Sequence, residues 1–463
     1  MDPVISSYQA PRIRFLGAAG TVTGSKYLLT FNQRKILIDC GLFQGLKELR
    51  LKNWDRFPID PKTIDAILLT HAHIDHSGYI PRLIKEGFRG KIFCTQATFD
   101  LCKILLPDTG HLQQEEADYL ARKKISKHNP PLPLFTVEDA KEALSYFETK
   151  NFDEEFEVIP ELFSTFKYVG HILGAASCFV KAGPIRIAFS GDVGRWNDLI
   201  FRNPIPLPQV DYLVIESTYG NKKHDTSEPM MDLEKIINET VKCRGVILIP
   251  AFAVGRAQSL MYFLSQLKKT NRIPNSIPMY LNSPMATDVT KKFFEFKTLH
   301  KISELECQEL FSGFHFIKTM SESIALNEKK GPMIIIAASG MLTGGRILHL
   351  LKTFAPDPKN TIVLAGFQAE GTRGRQIQEG AKEVKIHGNF VPVRAQVRTL
   401  ENLSAHADYS EIIEWLKASN IHPKKVFITH GEPEASFALK KHLEEELSLN
   451  GFIPRQDQEF TLD

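Results

Sequence analysis

Short runs of aliphatic and β-branched residues recur along the chain, each ending near Gly, Asp, His or Ser. They are Lys35 to Asp39 (KILID), Ala66 to Thr70 (AILLT), Arg186 to Ser190 (RIAFS) and Tyr212 to Glu216 (YLVIE), then Val246 to Ile249 (VILI), Met333 to Ala337 (MIIIA), Thr361 to Ala365 (TIVLA) and Val426 to Thr429 (VFIT). Continuous apolar runs of this length predict strands buried on both faces. Between many of them, apolar residues repeat at i, i+3 and i+4, as in Arg256 to Leu267, Gly344 to Phe354 and Glu434 to Leu447, which predicts helices. The alternation defines a layered α/β class. The Pro-rich turn Asn203 to Pro208 (NPIPLP) marks a boundary, and the polar stretch Pro107 to Thr136 predicts a helical insertion with a loop at Pro130-Pro131. Residues 219 to 390 carry their own strand–helix alternation, while the ligand-type residues that precede them resume afterwards. That order predicts one domain inserted into another.

At 463 residues the chain is long enough for two or three domains, and its 43% apolar and 24% charged residues are ordinary for a folded soluble protein. No stretch approaches the roughly 18 to 20 apolar residues of a membrane helix, and Met1 to Pro11 lacks the apolar core of a secretory signal. The cysteines Cys40, Cys94, Cys102, Cys178, Cys243 and Cys307 include no Cys-x-x-Cys pair. This pattern predicts reduced thiols in a cytoplasmic setting and argues against a cysteine zinc site. The net charge is only +3, so a nucleic-acid partner needs a local basic surface. The clusters Arg122-Lys123-Lys124, Lys222-Lys223, Lys268-Lys269 and Lys291-Lys292 each read as solvated faces.

The sharpest chemical signal is His71-Ala-His73-Ile-Asp75-His76, directly after AILLT. Four ligand-type residues on the turn leaving a strand can converge on two metals, and imidazole with carboxylate suits zinc. Asp39, His171, Asp192 and His430 each follow another apolar run. Singly they read as turn residues; together they complete two coordination spheres.

With these motifs in order, the chain resembles the β-CASP branch of the metallo-β-lactamase superfamily, close to the RNA-cleaving group of cleavage-and-polyadenylation endonuclease subunits and ribonuclease J. The further motifs are Glu216 in Glu216-Ser217-Thr218-Tyr219-Gly220, His406 in Ser404-Ala405-His406-Ala407-Asp408 and His430 in Thr429-His430-Gly431-Glu432. The resemblance implies an αββα metallo-β-lactamase sandwich (residues 1–208 and 391–463) with an inserted α/β β-CASP domain (209–390). It implies two Zn2+ per chain, one on His71, His73, His171 and Asp192 and the other on Asp75, His76, His430 and the shared Asp192. Asp39 then orients ligands. Glu216 pairs with His406, the candidate general acid or stabiliser of a reacting oxygen; helix capping or packing is the plainer role for that histidine. In this family a His at the position of His430 goes with RNA rather than DNA.

Three Gly-rich turns lie in the inserted segment: Pro250 to Gln258 (PAFAVGRAQ), Ala337 to Arg346 (AASGMLTGGR) and Gly366 to Gln376 (GFQAEGTRGRQ). Turns that aim helix N-terminal amides outward suit a phosphate, and Arg256, Ser339, Arg373 and Arg375 are the candidate contacts to an RNA backbone. The expected activity is hydrolysis of single-stranded RNA by a zinc-bound hydroxide, endonucleolytic, leaving 3′-hydroxyl and 5′-phosphate ends. The rivals are a 5′–3′ exoribonuclease, from whose ribonuclease J architecture the absence of a long C-terminal extension leans away, a DNA nuclease, a small-molecule hydrolase on the same fold, and a scaffold without catalysis. A homodimer is the candidate assembly, and no membrane partner is expected.

Overall fold

The computed structural model describes residues 9–123, 130–224, 229–400 and 403–463. Two compact units divide the chain. The first gathers Met1–Asp198, Asn203–Lys223 and His406–Asp463; the second gathers Leu199–Arg202 and His224–Ala405.

Among the described residues the first unit holds two seven-stranded sheets. One runs in the order Glu459–Thr461, Arg12–Phe15, Tyr27–Phe31, Arg34–Ile38, Ala66–Leu68, Lys91–Thr95 and Phe147–Lys150. The other runs Gly451–Phe452, Lys425–Thr429, Tyr212–Glu216, Ile185–Phe189, Ala176–Ala182, Leu162–Tyr168 and Glu155–Ile159. Their inner faces share one core, in which Phe15, Leu29, Ile36 and Ile38 of the first sheet meet Phe166, Val180, Ile187, Phe189 and Phe427 of the second. Each such side chain contributes about 1.5–3 kcal/mol by leaving water. Helices Ile80–Lys85, Gln96–Lys123 and Val137–Ala143 accompany the first sheet, and Tyr409–Ser419 and Pro433–Leu447 the second. This is the expected αββα sandwich. The sheet made by Arg12–Phe15 is completed by the last strand of the chain, with Arg12 opposite Thr461 and Arg14 opposite Glu459.

The second unit is built on a six-stranded sheet in the order His315–Phe316, Met279–Asn282, Met333–Ala337, Val246–Pro250, Thr361–Ala365 and Gln396–Leu400, all parallel. A hydrophobic cluster lies on each face, one around Ile247, Ile249 and Leu264, the other around Leu248, Ile335 and Leu351. Burial on both faces is why these strands are unbroken apolar runs.

The divisions at 208 and 390 expected from the sequence fall elsewhere in the structure. Tyr212–Glu216 pairs with Ile185–Phe189 and Lys425–Thr429 in the first unit, and Gln396–Leu400 pairs with Thr361–Ala365 in the second. A strand buried on both faces reads alike in either sheet, and only pairing assigns it. The helix expected to begin an insertion at Pro107 begins at Gln96 and runs through that proline to Lys123. Lys124, the following residues to 129, and the first eight residues of the polar N-terminus lie outside the described residues. Five of the cysteines are buried and Cys243 is exposed; all are free, and burial pushes the Cys40 thiol up to about 12. No helix among the described residues is long and apolar enough to cross a membrane.

Candidate metal centre

The ligand-type residues stand where strands of the first unit end. Asp39 follows Arg34–Ile38, and His71 and His73 follow Ala66–Leu68. Asp75 and His76 lie on the single-turn helix Ile74–Ser77. His171 follows Leu162–Tyr168, Asp192 follows Ile185–Phe189, and Glu216 ends its own strand. His430 follows Lys425–Thr429, and His406 precedes the helix Tyr409–Ser419, which Asp408 caps. Two of these residues adopt left-handed backbone, Asp39 at φ 60° and His430 at φ 49°. Such strain persists only where the surroundings impose it: Asp39 N donates to Leu68 O at 2.9 Å and His430 N to Ala18 O at 2.8 Å. Gly41 is required by crowding, since a Cβ there would stand 1.6 Å from the Asp75 carbonyl oxygen.

Two donor sets result. In the first, His73 Nδ1 lies 3.1 Å from both His71 Nε2 and His171 Nε2, and Asp192 Oδ2 lies 3.3 and 3.4 Å from those same two nitrogens. Tetrahedral zinc with bonds of about 2.0–2.1 Å separates its ligand atoms by about 3.3 Å. The donors already have that spacing. In the second set, His76 Nε2 lies 3.2 Å from His430 Nε2 and 3.2 Å from Asp192 Oδ1, and Asp75 Oδ2 lies 3.4 Å from His430 Nε2. Asp192 therefore gives one oxygen to each set.

The protonation pattern suits metal binding. Burial pulls His71 down to about 3 and His73 to about 4, and pulls His171 well below the ordinary histidine value, so all three are neutral donors. Burial works against ionising Asp75 and Asp192, but His430 and His76 hold both carboxyls below the usual range. His76 is raised: burial opposes its charge, and Asp192 and Asp39 outweigh that. Carboxylates that hold a proton on a buried imidazole mark a place where positive charge is favoured.

The rings are held from behind. Asp39 accepts from Thr70 N at 2.8 Å, from Thr70 Oγ1 at 2.9 Å and from His76 Nδ1 at 2.7 Å. It thereby turns His76 Nε2 inward, a common arrangement around metal-binding histidines. Glu216 accepts from Val193 N at 2.5 Å and from His406 Nδ1 at 3.0 Å. The ring of His406 stands 4.5 Å from that of His171 and 6.1 Å from that of His430, measured between centroids. Burial lowers the affinity of His406 for a proton, yet Glu216 and Asp192 lift it to about 9. Sequence reasoning singled out neither Thr70 nor Thr218, the hydroxyls beside these carboxylates; their one signal is that Thr70 directly precedes His71 and Thr218 lies two residues after Glu216.

In the second unit, the three Gly-rich turns meet at the carboxyl ends of adjacent parallel strands. Gly374 N donates to Met341 O at 3.1 Å, Gln368 Nε2 donates to Gly340 O at 3.2 Å, and the Arg256 guanidinium packs against Gly366. Arg256 is buried. Arg373 donates to the carbonyls of Lys385, Leu342 and Thr343, Arg375 pairs with Glu379 one helical turn on, and Ser339 Oγ lies 3.0 Å from Thr343 Oγ1.

A four-layer α/β scaffold that aims buried imidazoles and carboxylates at two adjoining points is a metal-dependent hydrolase. Residues 19–91 match the metallo-beta-lactamase superfamily, 257–377 the Beta-Casp domain, and 391–454 the Zn-dependent metallo-hydrolase RNA specificity domain. The chain belongs to the β-CASP branch of the metallo-β-lactamase superfamily. It is 36% identical over 442 residues to ribonuclease TTHA0252 of Thermus thermophilus, which is 93% of this chain and 96% of that protein. It is 31% identical over 452 residues to the RNase J-like protein of Methanocaldococcus jannaschii, 96% of this chain and 97% of that one. Transcription termination factor FttA of the same organism is 31% identical, over 91% of this chain and 67% of its own length. A crystal structure of a protein of unknown function from Enterococcus faecalis V583 has the same fold, with a TM-score of 0.53 and 13% identity, covering 98% of this chain and 100% of that one.

Proposed function

We propose that the chain hydrolyses single-stranded RNA, cutting internally to leave 3′-hydroxyl and 5′-phosphate ends, with two zinc ions per chain. The observation that carries this reading is one carboxylate, Asp192, serving both donor sets, with the Glu216–His406 pair beside them. The ribonuclease and RNase J-like relatives and the RNA specificity match support RNA as the substrate.

His71, His73, His171 and Asp192 would hold one zinc ion and Asp75, His76, His430 and Asp192 the other; bound there, the pair would supply a nucleophilic water at neutral pH and neutralise phosphoryl charge. The side chains provide the rest. His406, with Nδ1 turned to Glu216, presents Nε2 as the proton donor to the leaving 3′-oxygen. Arg256, Ser339, Arg373 and Arg375 are proposed contacts to RNA phosphates; Arg373 and Arg375 share their present carbonyl and carboxylate partners with such a ligand. Phosphate contacts position a strand without reading its sequence.

The test uses circular RNA, and linear RNA with a single 2′-deoxynucleotide 5′ of a mapped cleavage site, in oxygen-18 water. Cutting of the circle, cleavage at the deoxy site, and label on the new 5′-phosphate are expected. A 2′,3′-cyclic phosphate product, or full protection by the one deoxy substitution, overturns the hydrolytic mechanism. Cleavage of linear RNA alone, by single nucleotides from its 5′ end, turns the reading into an exonuclease.

A further inference from the structure

Two hydroxyl–carboxylate pairs stand behind the donor sets, and they match. In one, Thr70 Oγ1 donates to Asp39 Oδ2 at 2.9 Å and lies 3.0 Å from His71 Nδ1. A hydroxyl has one proton, so Thr70 accepts from His71 Nδ1–H, and His71 Nε2 is left as a lone-pair donor. Asp39 also receives His76 Nδ1 at 2.7 Å. In the other pair, Thr218 Oγ1 donates to Glu216 Oε2 at 2.6 Å and lies 3.1 Å from His430 Nδ1. The same count makes Thr218 the acceptor of His430 Nδ1–H and leaves His430 Nε2 for the metal. The His430 carbonyl, 3.2 Å from Thr218 Oγ1, competes for the hydroxyl proton, but the carboxylate at 2.6 Å is the stronger partner. All three groups are buried, Thr218 at 5%, Glu216 at 1% and His430 at 3% exposure, so water does not substitute freely for a lost bond.

The pairs differ in what stands at the far end. Asp39 links two metal-binding histidines. Glu216 links His430 to the proposed proton donor His406, whose Nδ1 lies 3.0 Å from Oε2, the oxygen that also accepts from Thr218, and 3.2 Å from Oε1. We propose that Thr218 is a positioning residue with two effects: it fixes the tautomer of His430 for the second donor set and, through Glu216, couples that set to His406. The role given to His406 rests on the function proposed above; the effect on His430 does not.

Thr218→Val keeps the volume and removes the hydroxyl, so His430 Nδ1 faces a methyl group and Glu216 Oε2 loses a buried donor. Residues that orient ligands in this way are typically worth about 10–100-fold in metal affinity. The experiment loads the full chain with zinc, measures stoichiometry by elemental analysis, and resolves the two dissociation constants by chelator competition. For Thr218→Val one zinc is expected to bind as in the unaltered protein and the other about 10–100-fold more weakly. On RNA, kcat is expected to fall with little change in KM. Thr218→Ser restores the hydroxyl and is expected to restore both zincs and kcat. Thr70→Val, whose carboxylate joins ligands of both sets, is expected to weaken both zincs. If the valine variant does not fold, Thr218→Ala takes its place with the same expected pattern. Two zincs at unaltered affinity in Thr218→Val, equal weakening of both, or failure of Thr218→Ser to rescue, each overturns the proposal. The zinc measurements need no RNA. An error in the substrate assignment shows instead as absent cleavage by the unaltered protein, with the zinc pattern intact.

Discussion

Asp192 is 1% exposed and lies within 3.4 Å of three imidazoles, two through one oxygen and one through the other. Asp192→Ala is therefore expected to lose both metals and all cleavage together, as elemental analysis and an RNA assay would record; retention of one tightly bound zinc contradicts the shared carboxylate. His406→Ala is expected to keep both metals while cleavage drops roughly a hundredfold or more, the range for loss of a general acid. Gly41→Ala probes a residue with no chemistry of its own. Its methyl would displace the Asp75 carbonyl, which receives Ser25 N at 2.9 Å, so the turn bearing Asp75 and His76 must shift. Weak zinc binding is expected despite an intact ligand set, and unaltered zinc affinity would show that the turn yields without consequence. The candidate ligand residues that the fold brings together stood out in the sequence because His and Asp directly after an apolar run have few structural reasons to be there. Thr70 and Thr218 were not, because threonine is an ordinary strand-end residue and only the fold reveals which carboxylate it faces.

At the level of elements, the strands that could be read were those buried on both faces, such as Met333–Ala337 and Thr361–Ala365, where every residue is inside. Edge strands such as Glu155–Ile159, buried at only alternate positions along part of their length, and two-residue pairings such as Gly451–Phe452 have too little apolar content to stand out. Pro107 misled for a different reason. Proline removes one helical hydrogen bond and normally signals a break, yet Leu105, Leu106 and Gly110 around it are buried, and packing carries the helix past it. Capping, by contrast, follows local rules. Ser303 accepts from Glu306 N, and Glu306 accepts from Ser303 N, at the start of Glu304–Ser312. Ser303→Ala is expected to cost about 1 kcal/mol. The Ser303 hydroxyl leads the bonds that hold the Glu306 carboxyl below its ordinary value, and burial opposes them weakly. A depressed folded-state value stabilises above the unfolded one, so this contribution is present at neutral pH and is lost as pH falls through the acid range. The gap between the melting curves of the serine and alanine forms should narrow at low pH, leaving the part due to the bond from Glu306 N; a constant gap would assign the whole effect to that bond.

On the scale of the molecule, the core of the sandwich and the two clusters of the second unit have no residue in common. Every proposed metal ligand belongs to the first unit. A bound ligand stabilises only the fold that holds it, by about 2.7 kcal/mol at a hundred times its dissociation constant. Chelation is therefore expected to lower one calorimetric transition and leave the other in place; equal shifts in both would show the units melting as one.

The pairing of Arg12–Phe15 with Glu459–Thr461 also bears on how the protein is made. A ribosome adds about 5–20 residues per second, so some 450 residues separate the two halves of that pairing by roughly 20 to 90 seconds of synthesis. His71 to His76 emerge early, Asp192 midway, and His406 and His430 near the end. Until His406 and His430 are made, the nascent chain lacks part of the second candidate donor set and the proposed proton donor. On the function proposed above, a chain made in this order is expected to be inert toward its own message until those residues have emerged. Stalled chains ending before His406 should leave RNA uncut, and the same chains released at full length should cut it.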